Sequence, residues 1–222
     1  MTVLANPEHN KYPSILKWIL GLGMLLALWW LLPSVLPESM LNGTLLENEK
    51  LPWYLSRVSG VVAYLLISAS TFWGLLLSTQ LIKKTIPASV SFALHNSLSW
   101  AAIGLSLFHA IILLFDNYYT YTIADLLIPF QGPYKPLWVG VGTIGFYLVL
   151  ITSLSFYVRQ WIGQKTWRWL HYLTFLAYIM TTIHAWMTGS DSGSLSMIYF
   201  VSVVVVLFLT FYRVLSAITG KK

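Results

Sequence analysis

"HNSLSWAAIGLSLFH", residues 95–109, decides the fold. It opens and closes with histidine and has neither proline nor a formal charge between its ends. The interior is what a helix in hydrocarbon would use, yet an imidazole stands near each end, fourteen residues apart. Imidazole inside a membrane is expensive unless it has a partner, so the two histidines are functional candidates from the outset.

The rest of the chain agrees that the solvent is lipid. Of its 222 residues 57% are hydrophobic and 9% charged, where a soluble domain carries roughly a quarter charged residues. The mean hydropathy is +0.71. Cysteine is absent, which excludes Cys-ligated iron–sulfur clusters, covalent C-x-x-C-H haem attachment and disulfides. Redox chemistry would then need a bound organic or porphyrin cofactor. The net charge of +6 does not point to nucleic acid, because the positive residues sort by side of a membrane.

A bilayer core of about 30 Å takes about 20 apolar residues per helix. Six segments qualify, about 15–36, 55–79, 89–115, 137–157, 168–188 and 194–216. The predicted fold is an all-α integral membrane protein, a six-transmembrane helix bundle over 15–216 with its core in 55–188, between short tails at 1–14 and 217–222. With the N-terminus inside, the cytoplasmic side collects Lys11, Lys17, Lys83, Lys84, Arg159, Lys165, Arg168, Arg213, Lys221 and Lys222, with Glu8 as its acid. The opposite side holds Lys50, Arg57 and Lys135 among six acids. Ten positives against three put both termini in the cytoplasm. Trp53, Trp138, Trp161, Trp167, Trp169 and Trp186 fall at span ends, as an interfacial belt would. The first span, preceded by Lys11 and Lys17, is too long for a typical signal-peptide core and lacks a convincing cleavage site, so it reads as a retained helix. The long loops 37–52 and 116–136 lie outside and specify no ligand by themselves.

Two motif matches are discounted. "GVGTIG" (Gly140, Gly142, Gly145) satisfies G-x-G-x-x-G, but it sits within a span and not in a βαβ unit. Small residues permitting close approach of a helix or cofactor are the better reading. "NGT" at Asn42 fits a glycosylation acceptor, a triplet that arises easily by chance.

Besides His9 in the polar tail, the histidines are His95 and His109 on the third span and His171 and His184 on the fifth. Taken singly, each could hydrogen-bond a neighbouring helix. Together they form a pattern. Both spans run from inside to outside, so His95 and His171 lie near the cytoplasmic side and His109 and His184 near the outer side. Their separations of fourteen and thirteen residues correspond to about 21 and 20 Å along the axis. Two imidazoles can therefore face each other at two depths, as two stacked b-type haems require. One detail resists: at about 100° per residue, thirteen steps leave His184 about 140° from the face of His171. Hydrogen-bonding histidines or another pigment, such as chlorophyll, are the alternatives.

Three stretches resemble the ferric reductase-like transmembrane family, which includes the membrane portions of NADPH oxidases and ferric reductases and the haem-binding membrane subunit of a periplasmic methionine sulfoxide reductase. They are "LHNSLSWAAIGLSLFHAI", "GQKTWRWLHYLTFLAYIMTTIHAW" and "YLSRVSGVVAYLLISASTFWGLLLST", the last with Arg57 and Gly60. The likeness covers about residues 50–190, and the histidine spacings are its specific part. The resemblance implies two haem b groups, the inner iron held by His95 and His171 and the outer by His109 and His184. The full quartet is closer to the oxidase and ferric reductase pattern than to the sulfoxide reductase subunit, which can lack the inner third-span histidine. Oxidases continue into a flavin and nicotinamide domain where this chain ends. The expected donor is then a separate flavoprotein using flavin and NAD(P)H, or a membrane quinol.

Arg57, at the outer edge of the second span, is either a snorkelling anchor or a cation paired with outer-haem propionates; the family resemblance favours the second. Arg168, three residues before His171, offers the same choice at the inner haem. Lys165 and Arg159 read as positive-inside residues that could also attract an acidic reductase.

With both axial positions filled, such haems move electrons and do not readily bind substrate at the metal. The expected function is transmembrane electron transfer from a cytoplasmic donor to ferric iron, dioxygen or a partner reductase on the outer face, in a bacterial plasma membrane. No separate catalytic residue is expected. The rivals are a quinol-oxidising cytochrome b subunit and a pigment-binding or structural membrane subunit. A transporter is disfavoured, because no intramembrane acid accompanies the histidines.

Overall fold

The computed structural model describes residues 49–79, 81–82, 85–189 and 192–219, and these residues are helical with short connections and no strand. Five long helices are formed: α1 (Leu51–Thr79), α2 (Ala88–Ile111), α4 (Pro136–Ile162), α5 (Gln164–Thr188) and α6 (Ser192–Ile218). A 3₁₀ turn, Ile112–Phe115, ends α2, and a short helix α3 (Ile123–Leu127) lies in the loop that follows. The predicted first span, the N-terminal tail, Lys83, Lys84 and residues 220–222 lie outside the described residues.

Four of these segments are long and apolar enough to cross a membrane: Leu51–Thr79, Ala88–Phe115, Pro136–Ile162 and Ser192–Ile218. Between them these cover the predicted second, third, fourth and sixth spans. The helix expected for the fifth span is formed as α5, but it is more polar than the others. Lys165, Arg168, His171, His184 and the Thr181–Thr182 pair dilute its apolar residues. At 25 residues it is nevertheless about 38 Å long.

The helices pack as two antiparallel hairpins, α1 with α2 and α4 with α5; α6 lies chiefly against α1 and also touches α5. The turn from α4 to α5 is a single residue, Gly163, whose φ of 82° favours glycine. The core is small and partly polar. Ile67, Leu75, Ala102, Tyr178, Val206 and Leu209 form its buried cluster. Leu107, Phe108, Phe200, Leu207, Phe208 and Phe211 point outward, as lipid-facing side chains do in a bundle whose surroundings are as apolar as its interior.

The loop between α2 and α4 is folded down onto the ends of the helices. Thr122 and Asp125 form a reciprocal capping box that starts α3. The Tyr134 hydroxyl donates to the Thr188 carbonyl at 3.0 Å and Lys135 Nζ to the Met187 carbonyl at 2.8 Å, tying the loop to the end of α5. Gly140 lets the loop pass close: a Cβ there would lie 2.5 Å from the backbone nitrogen of Phe130.

Candidate functional site: two facing imidazole pairs

The structure brings the four span histidines together in two pairs. The rings of His95 and His171 are 6.3 Å apart, centre to centre, and inclined at 77°. Those of His109 and His184 are 6.1 Å apart and inclined at 79°. Both pairs join α2 to α5, so these helices run parallel, as the matched spacings require. The angular mismatch on α5 is absorbed by different approaches. His184 leaves the helix on the α4 side, where its ring meets the Trp138 carbonyl and Gly142. His171 lies along its own helix, stacked on Trp167 at 5.2 Å and 24°.

Hydrogen bonds fix the tautomer of three rings. His95 Nδ1 lies 3.0 Å from the Ser70 carbonyl, His109 Nδ1 2.6 Å from the Ser56 carbonyl, and His184 Nδ1 3.0 Å from the Trp138 carbonyl. A carbonyl oxygen can only accept, so in each ring Nδ1 carries the proton and Nε2 keeps its lone pair. Nε2 is thereby left with a lone pair that could bind a metal, and a carbonyl bond of this kind orients a metal-binding histidine and raises its basicity. His171 differs: its Nδ1 is buried with no hydrogen-bond partner among the described residues.

The pairs pass a dimensional test for an iron between two rings. Two Fe–N bonds of about 2 Å, plus about 1.1 Å from each Nε2 to its ring centre, separate the centres by about 6.2 Å. The observed 6.3 and 6.1 Å have room for that arrangement, and they also fall in the range of about 4.5–7 Å at which rings pack edge to face. Among the described residues no group of three or more His, Cys, Asp or Glu side chains is arranged to hold a bare metal ion. The donor set is two nitrogens per site, which suits a metal whose remaining positions are filled by a macrocycle.

Glycines make the approach possible. A Cβ on Gly60 would lie 2.8 Å from His109 Nδ1, one on Gly74 3.1 Å from His95 Cε1, and one on Gly142 hard against His184 Nδ1. The reading of "GVGTIG" as a close-approach stretch therefore holds for this helix, and Gly145 likewise faces Thr181 of α5. The sequence reading did not single out Ser56, Ser70, Gly74 or the Trp138 carbonyl. A signal was present: Ser56-x-x-x-Gly60 recurs as Ser70-x-x-x-Gly74, at the same fourteen-residue interval as His95 and His109.

Arg57 adjoins Ser56, the residue that holds His109. Its guanidinium lies 4.2 Å over the ring centre of Trp53, and Tyr54, Tyr134 and Tyr199 are within its electrostatic reach. Arg168 is exposed, lining with Gln164, Lys165, Trp169 and Tyr172 an open groove of about 430 Å³. Of the expected belt residues, Trp161 and Trp169 are well exposed, but Trp167 turns inward onto His171. Between the two imidazole levels, the Tyr64 hydroxyl meets Ser202 Oγ at 2.5 Å, and Tyr178 donates to the same oxygen at 3.2 Å.

Fold and site define a helical membrane protein with two stacked imidazole pairs. No protein-family model, curated protein or solved structure matches the chain.

Proposed function

We propose that the chain is a six-span transmembrane electron conduit, with both termini in the cytoplasm and two b-type haems held by His95 with His171 and by His109 with His184. The observation that carries this reading is the repeated ring separation, 6.3 and 6.1 Å, at two levels about 20 Å apart along α2 and α5. A haem iron with two imidazole ligands supplies one-electron redox chemistry. The chain's own residues account for the rest. His95, His109 and His184 each keep a proton on Nδ1 and donate it to a carbonyl, which holds the ring still and directs Nε2 inward. Arg57 provides a cation beside the outer pair, suited to the carboxylates of a buried cofactor. Arg159, Lys165 and Arg168 make the opposite end basic, which favours an acidic flavoprotein as the donor; a membrane quinol is the other source. Ferric iron, dioxygen or a partner reductase is the acceptor on the outer face, in a bacterial plasma membrane.

The test is to reduce the purified chain with a flavin reductase and NAD(P)H and then add an external acceptor. Reduction that slows at high salt, followed by reoxidation, supports the reading. Full-rate reduction by menaquinol, with no response to any flavoprotein, replaces the cytoplasmic donor with quinol.

A further inference from the structure

A helical carbonyl at position i already accepts the N–H of residue i+4, and its second lone pair is screened by the side chain at i+4. Glycine at i+4 removes that screen. The chain uses this device three times, in Ser56/Gly60, Ser70/Gly74 and Trp138/Gly142. Each carbonyl receives an imidazole Nδ1–H, and each glycine leaves the space where the ring lies. On α1 the two clasps are fourteen residues apart, in step with the histidines of α2. On α4 the device is not repeated: fourteen residues after Gly142 stands Phe156. Its ring packs on Trp167 at 6.1 Å, and Trp167 stacks on His171. His171 is thus held by an aromatic column and not by a carbonyl, and both its Nδ1 and the Nε1 of Trp167 are buried without a partner among the described residues.

We propose that His171 is the exchangeable ligand of the quartet, so that the inner pair is where a small neutral diatomic ligand reaches the metal. The inference rests on the haem reading above. Loss of the hydrogen bond that orients a metal-bound imidazole lowers metal affinity by about ten- to a hundredfold, so the one unclasped imidazole is the one to leave. In the exchange the bond from iron to His171 Nε2 breaks and a bond from iron to the incoming ligand forms. Both are neutral two-electron donors, no electron is transferred, and His171 retains its Nδ1 proton. The three clasped rings stay in place, because displacing any of them also breaks its carbonyl bond.

The probe is carbon monoxide, added to the dithionite-reduced full chain in detergent. The expected stoichiometry is one carbon monoxide per chain, half of the haem, with the second centre at least about tenfold slower. Gly142→Ala, which drives a methyl against His184, should open the outer centre and raise the stoichiometry to two. Gly60→Ala does the same through His109 and serves if Gly142→Ala fails to fold. Gly74→Ala should only accelerate the centre that already reacts. Gly104→Ala, which meets nothing within 4 Å, is the control. Two haems that are both inert or equally reactive overturn the proposal, as does a second reactive centre created by Gly74→Ala and not by Gly142→Ala or Gly60→Ala. A folded chain without haem overturns the functional reading itself and is distinguishable from either result.

Discussion

His109 stands edge-on to His184, 6.1 Å between ring centres, with each ring pinned through Nδ1 to the backbone of a different neighbouring helix. Four helices thus meet at one imidazole pair: α2 and α5 supply the rings, α1 and α4 the carbonyls. The inner pair is built from the same four helices, but its second ring leans on aromatic side chains.

The pairing has a spectroscopic consequence. His95→Ala and His171→Ala should each remove the same haem component, and His109→Ala and His184→Ala the other. Loss of one component in both His95→Ala and His184→Ala would contradict the parallel arrangement of α2 and α5.

Close approach should register in stability. Gly74→Ala places a Cβ 3.1 Å from the His95 ring, and Gly104 on α2 has open space around it. Overpacking of this kind typically costs about 1–3 kcal/mol. Gly74→Ala should therefore lower the melting temperature, and Gly104→Ala should leave it unchanged or raise it slightly, since alanine is the better helix former. Equal melting temperatures for the two variants would mean that the ring does not press on α1.

The five long helices described and the meeting of the four histidines in two pairs follow from hydropathy and spacing. Packing against specific carbonyls does not, because backbone acceptors leave no residue signature. Trp138 acts through its main-chain oxygen, whereas the Ser56 and Ser70 hydroxyls also lie 3.1 and 3.2 Å from the imidazole nitrogens their carbonyls hold, so the repeated Ser-x-x-x-Gly is the trace these two leave in the sequence. The 140° mismatch on α5 likewise reads as an obstacle in an ideal helical projection. It disappears once His171 lies along Trp167 and His184 reaches across to α4, since side-chain rotamers and helix crossing together span that angle. Trp167 was expected at the interface for its residue type, and its inward turn depends on Phe156 of the neighbouring helix.

The cluster midway between the pairs should be stabilising. Ser202 Oγ serves both Tyr64 and Tyr178, so Ser202→Ala takes the closest partner from two hydroxyls that otherwise meet each other at 3.5 Å and Thr182 Oγ1 at 3.4 Å, a loss of about 1 kcal/mol. Adding Tyr64→Phe and Tyr178→Phe to Ser202→Ala should recover part of it. Additive losses in thermal denaturation would refute a shared network.

Asp125 accepts from the amide and hydroxyl of Thr122, and these bonds hold its carboxyl below the ordinary aspartate value. A depressed carboxylate contributes stability above its unfolded value, and that contribution is lost as pH falls through the folded one. The protection factors of the α3 amides, which remove the intrinsic pH dependence of exchange, should accordingly fall only below about pH 4. In Asp125→Asn the acid-dependent step should vanish, and its persistence there would assign it to another group.

Arg57 sits beside the residue that anchors His109. If its charge compensates the carboxylates of an outer haem, Arg57→Gln removes positive charge and favours the oxidised state. The potential of the outer component should fall while the inner one stays. Two unmoved potentials in a redox titration would leave Arg57 as an interfacial anchor over Trp53.

The central claim is that the two facing pairs each hold one haem. Pyridine haemochrome and iron analysis on the purified, helical, monodisperse chain measure it directly. The account predicts two haems b and two iron atoms per chain. A well-folded preparation that carries chlorophyll or another pigment, or no cofactor at all, would contradict it.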